Sequence, residues 1–215
     1  MLKITPFFTV TSCVVILFAC VLIISCSNHN KSSIVKLGAQ NGKYTFVYLG
    51  GLTDSFYSQE EMKHRSILDK IGKELELTFL VPMPKNRCPQ FSEKLCWPHN
   101  DEFRVISTYQ EIISDLGMSQ IDGWIGFSNG GYFLQELLHY RSLEQPIITI
   151  GAAGRIEHNI PIKVMIGLDD VYAYNRVKEL GYNFIEYKGG HEVDYESLRG
   201  LIIDFLQNST PRRQT

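Results

Sequence analysis

The sequence has no excess of charge of either sign: 21 Lys and Arg stand against 23 Asp and Glu, a net charge of −2. A basic excess or stripe is the mark of a nucleic-acid binder, so nothing here points to that class. There is no block of like charge that would read as an interaction tail, and no internal repeat that would build a solenoid. Cysteine is sparse, 5 in 215 residues. A metal site finds no support either: His99 is the histidine near Cys88 and Cys96, and no second ligand pair accompanies it. What remains is a chain long enough for one domain with a substantial core.

The first segment is expected to lie outside that domain. Lys3 is followed by an apolar stretch from Phe7 to Ile24, the composition of a signal peptide. Its end, Ile23-Ile24-Ser25-Cys26, resembles the bacterial lipoprotein lipobox. The resemblance implies cleavage before Cys26, diacylglycerol on the Cys26 thiol, and acylation, as by palmitate, of the new amino terminus. Several acyl chains anchor stably where one does not. Ser27 resembles the outer-membrane-directed class more than the inner-membrane one. The alternative is an uncleaved membrane anchor, for which the apolar length is borderline. Leu17-Phe18-Ala19-Cys20 is a poorer second match, because bulky Phe18 sits inside it. The expected organisation is a signal peptide over 1–25, a lipidated cysteine and tether over 26–43, the folded domain over 44–208, and a polar tail over 209–215. With Cys26 lipidated, Cys88 and Cys96 form an even pair in an oxidising compartment. A disulfide closing a small loop is expected; two unpaired thiols are the alternative.

From Tyr44 strands and helices alternate. Strands are expected at Tyr44–Leu49, Leu77–Val81, Ile121–Phe127, Ile147–Ile150, Ile162–Ile166 and Asn183–Tyr187. The first helix should bury Met62, Ile67, Leu68 and Ile71. Further helices are expected over Phe103–Leu116, from the serine turn to about Arg141, and over Val171–Leu180 and Tyr195–Leu206. Residues 83–101 form a long connection, and loops of that length are usually functional or disordered. The alternation predicts an α/β fold: a mostly parallel sheet with helices on both faces.

The stretch Gly123–Phe133 reads GWIGFSNGGYF. An apolar strand ends abruptly in Ser128, a helical pattern follows at once, and Gly126-Phe127-Ser128-Asn129-Gly130 fits G-x-S-x-G. In strand–turn–helix context that is a nucleophile elbow. The turn is so tight that side chains two positions to either side of Ser128 would collide. The helix start beneath it offers free N–H groups to a developing oxyanion. The bland reading is a glycine-rich turn with an exposed serine. In a parallel sheet, ligands bind at the carboxyl ends of the strands. Gly50-Gly51-Leu52, Ser128, Gly167-Leu168-Asp169-Asp170 and Gly189-Gly190-His191 all follow strands. Ser, Asp and His thus lie on one rim, in the α/β-hydrolase order.

On these residues the chain resembles a small member of the α/β-hydrolase superfamily, over about residues 44–207, with an elbow most like those of small serine hydrolases and carboxylesterases. The family's acid stands three residues after the glycine, which selects Asp170, with Asp169 as the fallback. The histidine loop selects His191. The stretch LGGLTDS is similar to the family's HG-x-x-x-S segment, although Gly50 stands where histidine is commoner. The resemblance implies a catalytic Ser128, Asp170 and His191, an oxyanion hole from the N–H groups of Leu52 and Asn129, and no metal or organic cofactor. His29, His64, His99, His139 and His158 read as structural or solvent-exposed. The short connection between the strands at Ile150 and Ile162 leaves no room for a helical lid, so the expected fold is minimal and lidless. Trp97 and Phe91 either line the pocket or pack beneath the 84–100 loop.

The expected function is a lipid-anchored serine hydrolase of the bacterial envelope, acting on a small carboxylic ester or thioester. Other acyl hydrolases on the same residues (amidase, peptidase, lysophospholipase) remain open, because fold does not choose among them. From another class, a non-catalytic envelope lipoprotein could keep the scaffold for binding. The membrane, reached through the anchor, and a small-molecule substrate are the expected partners.

Overall fold

The computed structural model describes residues 34–55, 58–117, 120–156 and 162–208. The expected signal peptide, the expected lipidation site Cys26, His29, His158 and the polar tail lie outside the described residues.

Among the described residues there are nine strands: β1 (Val35–Gly38), β2 (Tyr44–Leu49), β3 (Leu77–Val81), β4 (Asn86–Arg87), β5 (Leu95–Cys96), β6 (Gly123–Phe127), β7 (Ile147–Ile150), β8 (Ile162–Gly167) and β9 (Ile185–Tyr187). Five helices accompany them among the same described residues: α1 (Gln59–Glu74), α2 (Glu102–Leu116), α3 (Asn129–Tyr140), α4 (Val171–Glu179) and α5 (Tyr195–Asn208). Seven strands form one sheet in the order β1-β3-β2-β6-β7-β8-β9. All neighbours run parallel except β1, which is antiparallel to β3. The expected α/β architecture is therefore present. One edge strand, β1, lies within the 26–43 segment expected to be a tether.

Alternation along each strand divides the core between two faces. Phe46 and Tyr48 of β2, with Ile125 and Phe127 of β6, pack against Leu68 and Ile71 of α1 and Leu198 and Ile202 of α5. Val47, Leu49 and Trp124 point the other way, toward Val105 and Ile112 of α2 and Phe133 and Leu137 of α3. Val164 and Ile166 of β8 meet Ala173 and Val177 of α4.

The expected buried face of α1 is partly corrected. Met62 is 54% exposed, while Glu61 and His64 are buried beside Leu68 and Ile71. The inward polar pair has partners that make its burial tolerable. Glu61 is paired with Arg65 at 3.4 Å, and His64 Nδ1 lies 3.1 Å from the Tyr48 hydroxyl.

The long connection after β3 is ordered. β4 and β5 pair antiparallel, with Asn86 opposite Cys96 and Arg87 opposite Leu95. The Cys88 N–H donates to the Lys94 carbonyl at 2.9 Å. The expected Cys88–Cys96 disulfide is not present: both are buried free thiols in contact with each other. Two physical reasons account for this. The ladder already closes the loop without a covalent link. Burial first, then the neighbouring Cys88, pushes the Cys96 thiol up to about 12, so the thiolate that reacts in disulfide exchange is suppressed.

Candidate active site

Ser128 stands at the carboxyl end of β6 with φ 51° and ψ −117°, a conformation sparsely populated for a residue with a Cβ. Its neighbours hold it there. The Ser128 N–H donates to the Ile150 carbonyl at 2.8 Å, and its carbonyl accepts the Tyr132 N–H at 3.0 Å as α3 begins. The flanking glycines are steric necessities. A Cβ on Gly126 would fall 2.6 Å from the Gly130 carbonyl oxygen, and one on Gly130 would fall 2.2 Å from that of Leu49.

His191 arrives on the turn after β9. Its Nε2 is 2.8 Å from the Ser128 Oγ, and its Nδ1 is 2.5 Å from the Asp170 Oδ2. The acid that reaches the imidazole is Asp170, not the fallback Asp169. Asp170 has a second task, since its Oδ1 accepts the Ala173 N–H at 3.3 Å and caps α4. The Tyr187 hydroxyl steadies the histidine turn, lying 2.5 Å from the Glu192 carbonyl oxygen and 3.0 Å from that of Gly190. Burial holds the Tyr187 phenol up at about 12, so it stays a donor. Phe127 packs beneath the imidazole, ring centres 5.0 Å apart, and on to His64 at 4.5 Å. His64 is driven down to about 4, by its burial first and then by Lys63 and His191. It is therefore neutral at neutral pH and adds no charge behind His191.

The oxyanion candidates are placed together. Leu52, Ser128 and Asn129 line one cavity of about 320 Å³. Gly51 runs so close to Ser128 that a Cβ there would lie 3.2 Å from the Ser128 Cβ. Asn129 is the first residue of α3, where a backbone N–H has no intrahelical acceptor.

Sequence reasoning missed three supports. The Asn129 side chain is one: its Oδ1 accepts the Trp97 N–H at 2.7 Å, and its Nδ2 donates to the Trp97 carbonyl at 3.2 Å, all buried. The Trp97 indole N–H is the second, donating to the Gly50 carbonyl at 3.0 Å, which also accepts the Gly130 N–H at 3.1 Å. The loop carrying Trp97 is thereby tied both to the elbow and to the Gly50–Leu52 turn. Gly151 is the third. At φ 61°, it leaves room for the imidazole, whose Nδ1 would lie 2.9 Å from a Cβ there. A glycine directly after a strand was the available signal for Gly151. Nothing local marked the other two, since Trp97 and Asn129 meet across 32 positions.

Trp97 and Phe91 both line the cavity, as do Cys88 and Cys96. Of the histidines read as structural or exposed, His64 is buried and His99 lies on the cavity wall. Among the described residues, no helix stands between β7 and β8.

No protein-family model matches the chain, and no curated protein does. Solved structures do. Acyl-protein thioesterase 2 of Zea mays is similar at TM-score 0.58 and 15% identity, over 82% of this chain and 99% of that one. Esterase PE8 is similar at TM-score 0.51 and 18% identity, over 82% and 97%. A lipase-esterase related protein from Clostridium acetobutylicum is similar at TM-score 0.52 and 12% identity, over 81% and 99%. At such identities the likeness is one of fold, and with the sheet order and the elbow at β6 it establishes that this chain has the α/β-hydrolase fold.

Proposed function

We propose that the protein is a serine hydrolase that cleaves carboxylic esters or thioesters through an acyl-enzyme on Ser128. The observation that carries this reading is the unbroken chain Ser128 Oγ–His191 Nε2, His191 Nδ1–Asp170 Oδ2, at 2.8 and 2.5 Å. A serine hydroxyl is a poor nucleophile until a base takes its proton. His191 is within reach to take it as Ser128 attacks the acyl carbon, and then to give it to the leaving alcohol or thiol. Water, deprotonated in turn by His191, releases the acid and restores Ser128. Asp170 holds the imidazole with Nδ1 protonated and stabilises the cation formed during transfer. The N–H groups of Leu52 and Asn129 receive the oxyanion, each donor contributing about 3 kcal/mol to the transition state. The cavity of about 320 Å³ is at the small end for ligand sites, which favours a short acyl group over a long lipid chain.

The resemblance of residues 23–26 to a lipobox supports a lipid anchor at Cys26, in the bacterial envelope and preferentially at the outer membrane, as part of this proposal. Incorporation of radiolabelled palmitate by the wild type and not by Cys26→Ala tests that part separately.

The chemistry is tested by labelling with a serine-directed fluorophosphonate. Wild type should label and Ser128→Ala should not. A folded wild type that does not label would put the non-catalytic envelope lipoprotein in first place.

A further inference from the structure

From the lining of the cavity beside Ser128, we infer that the acyl group it takes ends in a carboxylate, received by Arg104. The substrates are then half-esters or half-thioesters of short dicarboxylic acids. This inference rests on the serine hydrolase reading above.

Acids outnumber bases in the chain, 23 to 21, yet no Asp or Glu lines this cavity, while Arg104 and His99 do. Arg104 projects from the first turn of α2. Three arginines of the fold are paired with carboxylates, Arg65 with Glu61, Arg176 with Glu179 and Arg199 with Glu74, while Arg87 donates to the Ser92 carbonyl and Arg141 lies over the Tyr109 ring. Among the described residues, the Arg104 guanidinium has no such partner; only its backbone is engaged, its N–H donating to Asp101 Oδ1 at 3.1 Å. That bond occupies Asp101 in capping the helix, and neither Asp101 nor Glu102 lines the cavity. Arg104 itself is an exposed residue on the rim of the cavity, and its charge opposes, as the smallest of the influences there, the upward push of burial on the Cys96 thiol. A planar guanidinium at the edge of an apolar recess matches a carboxylate with two parallel hydrogen bonds. Phe91, Trp97 and Tyr132 supply the apolar wall along which the intervening methylenes would lie. A neutral acyl chain would fill the same wall and leave the guanidinium to solvent.

The test compares two fluorogenic esters of one leaving group on the full chain: 4-methylumbelliferyl hexanoate and the 4-methylumbelliferyl half-ester of adipic acid. The readout is the ratio of their kcat/KM values in wild type, Arg104→Lys and Arg104→Met. Wild type should prefer the acid-ended ester by about tenfold, the size of one charge-assisted contact. The preference should disappear in Arg104→Met through KM, survive in part in Arg104→Lys, and shrink as salt is raised. A wild-type ratio at or below one overturns the inference, as does a ratio that Arg104→Met leaves intact. So does failure to turn over either ester by a protein whose Ser128 takes the fluorophosphonate, and in that case the hydrolase reading stands. Failure of Ser128 to label would bring down both.

Discussion

The two halves of the candidate site are held in different ways. Around Ser128 the ties are buried: Trp97 is 2% and Asn129 5% exposed, and their hydrogen bonds fix the elbow, the Gly50 turn and the cavity wall together. Around the base the surface is open. The His191 side chain is 43% exposed, and Leu168, Val171 and Tyr172, which flank Asp170 in the chain, are exposed apolar residues. Oxyanion donors act only if they stand ready before charge develops, so their half needs rigidity. A histidine that exchanges protons with a leaving group and then with water needs access. One side of the proposed reaction is served by burial and the other by exposure.

Substitutions can break this contrast. The largest effect is expected from Asp170→Asn, which keeps the Oδ1 cap on α4 but favours the wrong imidazole tautomer. The loss in kcat should be about 10³- to 10⁴-fold, with circular dichroism and the melting temperature nearly those of wild type. Next in size is the pH response of the support beneath the base. His64 lies at about 4 in the folded protein against 6.5 as its ordinary value. A base held down by burial favours the fold above its unfolded value, and that contribution is lost as pH falls from about 6.5 toward 4. Up to about 3 kcal/mol is at stake, measurable as the pH dependence of denaturant midpoints in wild type and His64→Gln. Glu61, pushed up by burial, acts in the opposite sense, so the comparison of variants isolates His64.

Asn129→Ala attacks the buried half directly. It leaves the Trp97 N–H and carbonyl without their partner, at a cost of about 2 kcal/mol in unfolding free energy. The labelling rate of Ser128 should fall with it. If stability drops and labelling does not, the clasp is structural only and the contrast fails. The smallest effect belongs to the open rim: Tyr172→Ser, at a side chain 76% exposed, should change stability by less than about 0.5 kcal/mol.

Much of this was legible in the sequence, where periodicity and spacing speak for themselves. The strands of the sheet centre are runs of apolar residues bounded by glycine and proline, and Ser128, Asp170 and His191 each follow one. The strand β1 escaped because four residues that include Lys36 and Gly38 carry no pattern. The inward face of α1 was misread because Glu61 and His64 are made tolerable inside by Arg65 and Tyr48, partners that no hydrophobic period reveals. The thiols of Cys88 and Cys96 were paired on compartment and parity. Their state depends on burial and on a hairpin of two-residue strands too short to recognise. The tie between Trp97 and Asn129 is written in neither segment alone.

Under the proposed function, that tie has a consequence for how the site can change. The loop that shapes the cavity is stitched by Trp97 to the residue after Ser128 and to the turn that carries Leu52. A mutation that remodels the wall to admit a new substrate is therefore transmitted to the machinery that turns it over. Selectivity and rate share one set of hydrogen bonds, so neither is free to drift while the other is held. A lineage exploring new substrates would find its easiest steps at the outer edge of the cavity, near Arg104 and Phe91, where a side chain can be exchanged without loosening the clasp.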